Sequence, residues 1–181
     1  MDTLTHYQIT LNNVKPNFSY RLHNIHTSTI YISQPTINFK LNETAKMSTP
    51  TAVFTITFNQ LINETYRDYI HIYTDGSKSQ RGVGAAFVKG NLVRRASLPK
   101  EACIYSAELH AIQMTIADIT NDNHNKFVIF SDSYSALRSL DNKYTRHPIA
   151  RKLLHSFHDL KTRGKTVELC WVPSHVGIRE N

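Results

Sequence analysis

From Tyr69 to Val172 the chain alternates short β-prone runs with amphipathic helical stretches, and this restricts it to a layered fold of helices on a sheet. Tyr69–Thr74 is a β-prone run ending in the turn-like Asp75-Gly76-Ser77. Gly82–Val88 and Leu92–Leu98 flank Lys89-Gly90-Asn91, where Gly-Asn can supply positive φ for a hairpin. Tyr105, Leu109, Ile112, Ile116 and Ile119 recur at helical spacing, predicting a helix over Ile104–Ile119 with one buried stripe. Phe127–Phe130 is wholly apolar and reads as a strand buried on both faces. A short helix follows from about Ser133 to Leu140, and Pro148 opens another that Gly164 closes. Thr166–Val172 is the last strand, stopped by Pro173. The order β-β-β-α-β-α-α-β predicts an antiparallel meander leading into αβ units, with the later strands parallel to the first.

That order places three carboxylates together. Asp75 and Asp132 follow the first and fourth strands, and the C-terminal ends of strands in such sheets are where ligands gather. Glu108, in the first turns of the long helix, borders its apolar stripe and can point at the same rim. Taken singly, Asp75 reads as turn chemistry, Asp132 as a carboxylate at a helix N-terminus, and Glu108 as an ordinary helix residue. Taken together they repel and lose hydration unless cations or protons compensate, which suits hard divalent ions, Mg²⁺ best. Two such ions about 3.5–4 Å apart can activate water and stabilise the leaving oxygen of a phosphodiester. His175, in the loop after the last strand, is either a solvated side chain or a proton shuttle beside a metal-bound phosphate.

The 181 residues carry 21 Lys and Arg against 14 Asp and Glu, so polyanions are plausible partners, although charge alone does not separate nucleic acid from an anionic membrane. Nearly all of the excess lies after residue 66. The N-terminus has no signal-peptide pattern and no apolar run approaches a membrane span, so an intracellular protein, cytoplasmic or nuclear, with no membrane partner is expected. Cys103 and Cys170 are too few for a disulfide framework and read as buried or partly buried free thiols; no Cys or His spacing supports zinc. Residues 1–66, rich in Asn and Thr, are expected to be a poorly packed extension of a domain over 67–181. Within them Ala52–Phe58 alternates like a strand, and Tyr20–Lys40 reads as short β-like runs broken by Pro35.

Four segments in order, Ile72-Tyr73-Thr74-Asp75-Gly76-Ser77, Tyr105-Ser106-Ala107-Glu108-Leu109-His110-Ala111-Ile112, Phe130-Ser131-Asp132-Ser133-Tyr134-Ser135-Ala136-Leu137 and Trp171-Val172-Pro173-Ser174-His175-Val176-Gly177-Ile178, resemble type 1 ribonuclease H. The likeness is nearest to the domain of non-LTR retrotransposon polyproteins and covers roughly residues 69–181. It implies an α/β, RNase H-like fold: a mixed five-stranded sheet flanked by helices, with the C-terminal helix missing from this chain. It implies Mg²⁺-dependent cleavage of the RNA strand of an RNA/DNA hybrid, using two ions that Mn²⁺ can replace. Asp75 would match the carboxylate shared by both ions, Glu108 and Asp132 ligands of the second, and His175 a mobile residue assisting proton transfer or product release. Ser77 is a candidate contact to the hybrid, which such domains read through the minor groove. A reverse transcriptase is the expected neighbour in the parent polyprotein.

The family's fourth carboxylate would fall shortly beyond Asn181, and Glu180 lies before its position, so impaired turnover is expected. Ile104 and Tyr105 stand where cellular members carry amides, and residues 140–150 hold no long basic insertion. A non-catalytic nucleic-acid-binding remnant is the alternative expectation. A DDE-type recombinase fits less well, because its carboxylates end in Glu where this order is Asp, Glu, Asp.

Overall fold

The computed structural model describes residues 33–44 and 50–174. Its strands are β1 (Thr36–Asn38), β2 (Ile70–Ser79), β3 (Gly82–Lys89), β4 (Leu92–Leu98), β5 (Lys126–Ser131) and β6 (Thr166–Trp171). Its helices are α1 (Lys40–Thr44), α2 (Thr51–Glu64), α3 (Ile104–Thr120), α4 (Tyr134–Leu140) and α5 (Pro148–Thr162). One sheet holds all six strands in the order β1-β6-β5-β2-β3-β4. The meander β2-β3-β4 is antiparallel, and β5 and β6 join β2 in parallel as expected. Gly90 supplies the positive φ (55°) that the β3–β4 turn requires.

The sheet is covered on both sides. Ile72 and Thr74 of β2 are buried on the face that carries α3, whose Leu109, Ile112, Ile116 and Ile119 form the predicted stripe. On the opposite face Tyr73 stacks on Phe130 at 5.0 Å, and Phe58 of α2 meets Phe130 edge-on at 5.3 Å. This two-sided cover is why β5 reads as a continuous apolar run: Phe127 through Phe130 have essentially no exposed surface.

Several expectations change. The sheet has six strands instead of five, because Thr36–Asn38 adds a parallel edge strand to β6 in the register Thr36↔Glu168, Ile37↔Leu169, Asn38↔Cys170. Ala52–Phe58 belongs to a helix, not a strand: Phe54, Phe58 and Leu61 share one face, and burying that face against the sheet outweighs the β propensity of the Val, Thr and Ile between them. Among the described residues, packed chain extends ahead of residue 66. Leu41, Phe54, Phe58, Leu61 and Tyr66 are all buried, and every described residue lies in the compact unit that begins at Ile32. Cys170 is buried and burial pushes its thiol up to about 12, whereas Cys103, expected to be buried or partly buried, is exposed at the N-cap of α3.

At the end of the sheet away from the carboxylates, Lys89 Nζ donates to Asp118 and, at 2.7 Å, to Asp122. The Lys89 hydrogen bond and the His124 N–H together hold Asp122 well below the usual carboxylate range. Lys89→Met is expected to cost about 1–3 kcal/mol, read as a melting temperature lower by several degrees near neutral pH. Asp122 contributes its stability above its ordinary pKa and loses it as acid protonates the folded state, so the gap between variant and parent should narrow below about pH 4.

Candidate active site

The carboxylates meet because β2 outruns β5. Although Asp75-Gly76-Ser77 reads as a turn, β2 continues through it and pairs with β3 as far as Ser79↔Gly82. Its parallel pairing with β5, however, stops at Thr74↔Ser131, where the Thr74 hydroxyl donates to the Phe130 carbonyl at 3.1 Å. Asp75 and Asp132 are the next residues of these two adjacent strands, so both stand at the point where the ladder opens. The expected shared rim is thus found, with Asp75 inside a long strand instead of at its end.

Glu108 arrives from the α3 face through a gap that Gly76 provides. A Cβ at position 76 would lie 2.7 Å from the Glu108 nitrogen and 2.8 Å from its carboxyl carbon, so only glycine lets helix and strand approach this closely. Lys78 Nζ donates to the Ala102 carbonyl at 2.7 Å and ties the same strand to the start of α3. One oxygen from each of Asp75, Glu108 and Asp132 lies within 4.8 Å of the others.

Their environments differ. Asp75 is exposed, Asp132 half-buried, and Glu108 only 6% exposed. Burial first, then the Asp132 and Asp75 charges, push Glu108 up from 4.5 to about 8 against the opposing hydrogen bond from the Gly76 N–H. Its Oε2 is buried with no hydrogen-bond partner. Such an oxygen, beside two further carboxylates, fits a divalent cation, which would neutralise the cluster and occupy the orphaned lone pairs. Among the described residues this is the group suited to a metal; none built from Cys or His is found.

Of the remaining predicted residues, Ser77 is exposed and shares with Asp75 a groove on the sheet lined also by Gly84, Ala86, Arg95 and Ser97. His175 lies outside the described residues. Trp171, which reads in sequence as a core residue, is buried, but its indole N–H also donates to the Asp132 carbonyl at 3.0 Å. That bond spans 39 residues and leaves no local signal. Gly76 was visible only as turn chemistry, since a close approach between a strand and a helix is invisible until they pack.

An α/β sheet with three convergent carboxylates at its open rim is an arrangement that could hold a divalent cation. The family pattern of RNase H matches residues 67–181, and the chain belongs to that family, whose members act on RNA in RNA/DNA hybrids. No curated protein matches the chain. Among the described residues no helix is long and apolar enough to cross a membrane.

Proposed function

We propose that this chain hydrolyses the RNA strand of RNA/DNA hybrids with Mg²⁺. The observation that carries the reading is the convergence of Asp75, Glu108 and Asp132 within 4.8 Å in a domain of the RNase H family. Asp75, Glu108 and Asp132 would together hold the metal, with Asp75 at the junction of the two strands. Bound there, the metal would supply charge neutralisation for the phosphate and an acidic water. Glu108 would have to release its proton to solvent to serve as a ligand, Gly76 aims its backbone N–H at the Glu108 carboxyl, and the Trp171 indole N–H holds the backbone carbonyl of Asp132. His175 would move a proton during cleavage or release, and Ser77 would meet the hybrid beside Asp75. The four ordered segments also support an origin in a retroelement polyprotein alongside a reverse transcriptase.

Residues 1–181 should cut the RNA of a labelled RNA/DNA hybrid in Mg²⁺ or Mn²⁺, leaving 3′-hydroxyl and 5′-phosphate ends. The DNA strand should stay intact, and Asp75→Asn should reduce cleavage to background with the fold retained. Cleavage that survives chelation or Asp75→Asn, or no cleavage in either metal, overturns the proposal; salt-sensitive binding without turnover would instead mark a nucleic-acid-binding remnant.

A further inference from the structure

A line of aromatic rings connects the chain ahead of the family match to the backbone of Asp132. Phe39, just past β1, packs edge-on against Tyr134 with ring centres 5.3 Å apart, and the Arg138 guanidinium lies 4.3 Å from the Phe39 ring centre. Tyr134 meets Trp171 edge-on at 6.0 Å. The Asp132 carbonyl accepts from the Trp171 indole N–H at 3.0 Å and from the Tyr134 backbone N–H at 2.9 Å. Both donors therefore belong to residues whose rings are in the line that Phe39 ends.

Phe39 is itself held in place. β1 pairs with β6, Asn38 Nδ2 donates to the hydroxyl of the fully buried Tyr66 at 3.1 Å, and Asn38 Oδ1 accepts from the Lys40 N–H at 3.0 Å. Further up the segment, Ser33 bonds His158 Nδ1 and Gln34 Nε2 donates to the Asp141 carbonyl at 2.6 Å. Residues 33–39 thus form a strap along the β6 edge, tied at one end to His158 of α5 and to Asp141 just after α4, and at the other, through Phe39, to Tyr134 at the start of α4, two residues beyond Asp132.

We propose that Phe39 is a positioning residue of the metal site, seating Asp132 through Tyr134 and Trp171, so that metal affinity depends on a segment outside residues 67–181. This rests on the reading of Asp132 as a metal ligand. The aim of a half-buried aspartate that follows a strand is set chiefly by its backbone, and that backbone is pinned by the two bonds just named. Loss of the Phe39 ring would leave the site's composition intact and loosen its geometry.

Trp171 is the chain's one tryptophan, so its fluorescence reports on the line directly. In metal-free protein Phe39→Ala should red-shift that emission, and the Mn²⁺ concentration that half-quenches it should rise about three- to tenfold, the range expected for one aromatic pair. Phe39→Tyr should restore both. Lys89→Met, destabilised at the far end of the sheet, should move neither. If Phe39→Ala fails to fold, Phe39→Leu leaves a smaller void and should show the same shifts in smaller measure. Unchanged emission and midpoint in a folded Phe39 variant overturn the proposal, as does an equal shift in Lys89→Met. Asp75→Asn separates the two readings: Mn²⁺ quenching that survives it defeats the metal assignment, while the metal-free emission still decides the strap.

Discussion

Glu108→Gln is expected to move activity and stability in opposite directions. The glutamine cannot surrender a proton to make room for a cation, so hybrid cleavage should fall at least about 100-fold. Metal-free protein should nonetheless become more stable at alkaline pH. In the parent, folding holds a proton on Glu108 up to about pH 8, whereas the unfolded chain releases it near 4.5. The folded state therefore binds more protons throughout that window, and stability declines as pH rises across it, by at most about 1.4 kcal/mol per unit. Glutamine removes the ionisation. At pH 8 to 9 the variant should melt roughly 2–4 °C or more above the parent, and the two should converge toward pH 4.5. Saturating Mg²⁺ should reverse the order, since only the parent gains from binding. Parallel pH profiles for the two metal-free proteins would show that Glu108 is not the proton-holding group.

Gly76→Ala should damage both properties at once. The added methyl would sit 2.7 Å from the Glu108 nitrogen and 3.0 Å from the Ala107 carbonyl carbon, and both are backbone atoms that no rotamer change can move aside. α3 would have to lift from β2, at an expected cost of about 3 kcal/mol or roughly 6–12 °C in melting temperature. Lifting α3 also withdraws Glu108 from Asp75 and Asp132. Cleavage by the folded fraction should drop about 100-fold or more, as expected for a displacement near 1 Å at a reacting centre. Gly82→Ala is the control: a Cβ there meets nothing within 4 Å, so it should be nearly silent. A Gly76→Ala protein with parental melting and cleavage would mean that strand and helix are not in contact at this point.

These expectations show what local pattern carries and what it omits. The stripe Leu109, Ile112, Ile116 and Ile119, the Gly90 turn and the two-sided apolar run of β5 were legible because each is a periodicity or a turn rule set by neighbours in sequence. The three carboxylates were legible as a group because the runs that carry Asp75 and Asp132 read as parallel strands and Glu108 lies on the helix between them in sequence, although β2 continues past Asp75. The helix over Thr51–Glu64 was not. Its alternating Ala-Val-Phe-Thr-Ile-Thr-Phe fits a strand as well as its Phe54, Phe58, Leu61 spacing fits a helix, and only the available sheet face separates them. The strand Thr36–Asn38 lies in the Tyr20–Lys40 stretch that reads as β-like, of which residues 20–32 are outside the described residues, but its place in the sheet follows only from the open edge that β6 offers.

The sequence by itself determined the order of the elements from Tyr69 onward, the parallel pairing of β5 with β2 and the identity of the three converging acids, since these follow from spacing, propensity and the handedness of connections. Tertiary structure alone decided how the acids differ. Glu108 holds a proton to about pH 8 because α3 buries it over Gly76 against two like charges, and Asp132 is pinned through Trp171 at the edge that Thr36–Phe39 covers. Desolvation and close approach depend on which distant surfaces meet, and no local pattern in the chain records that.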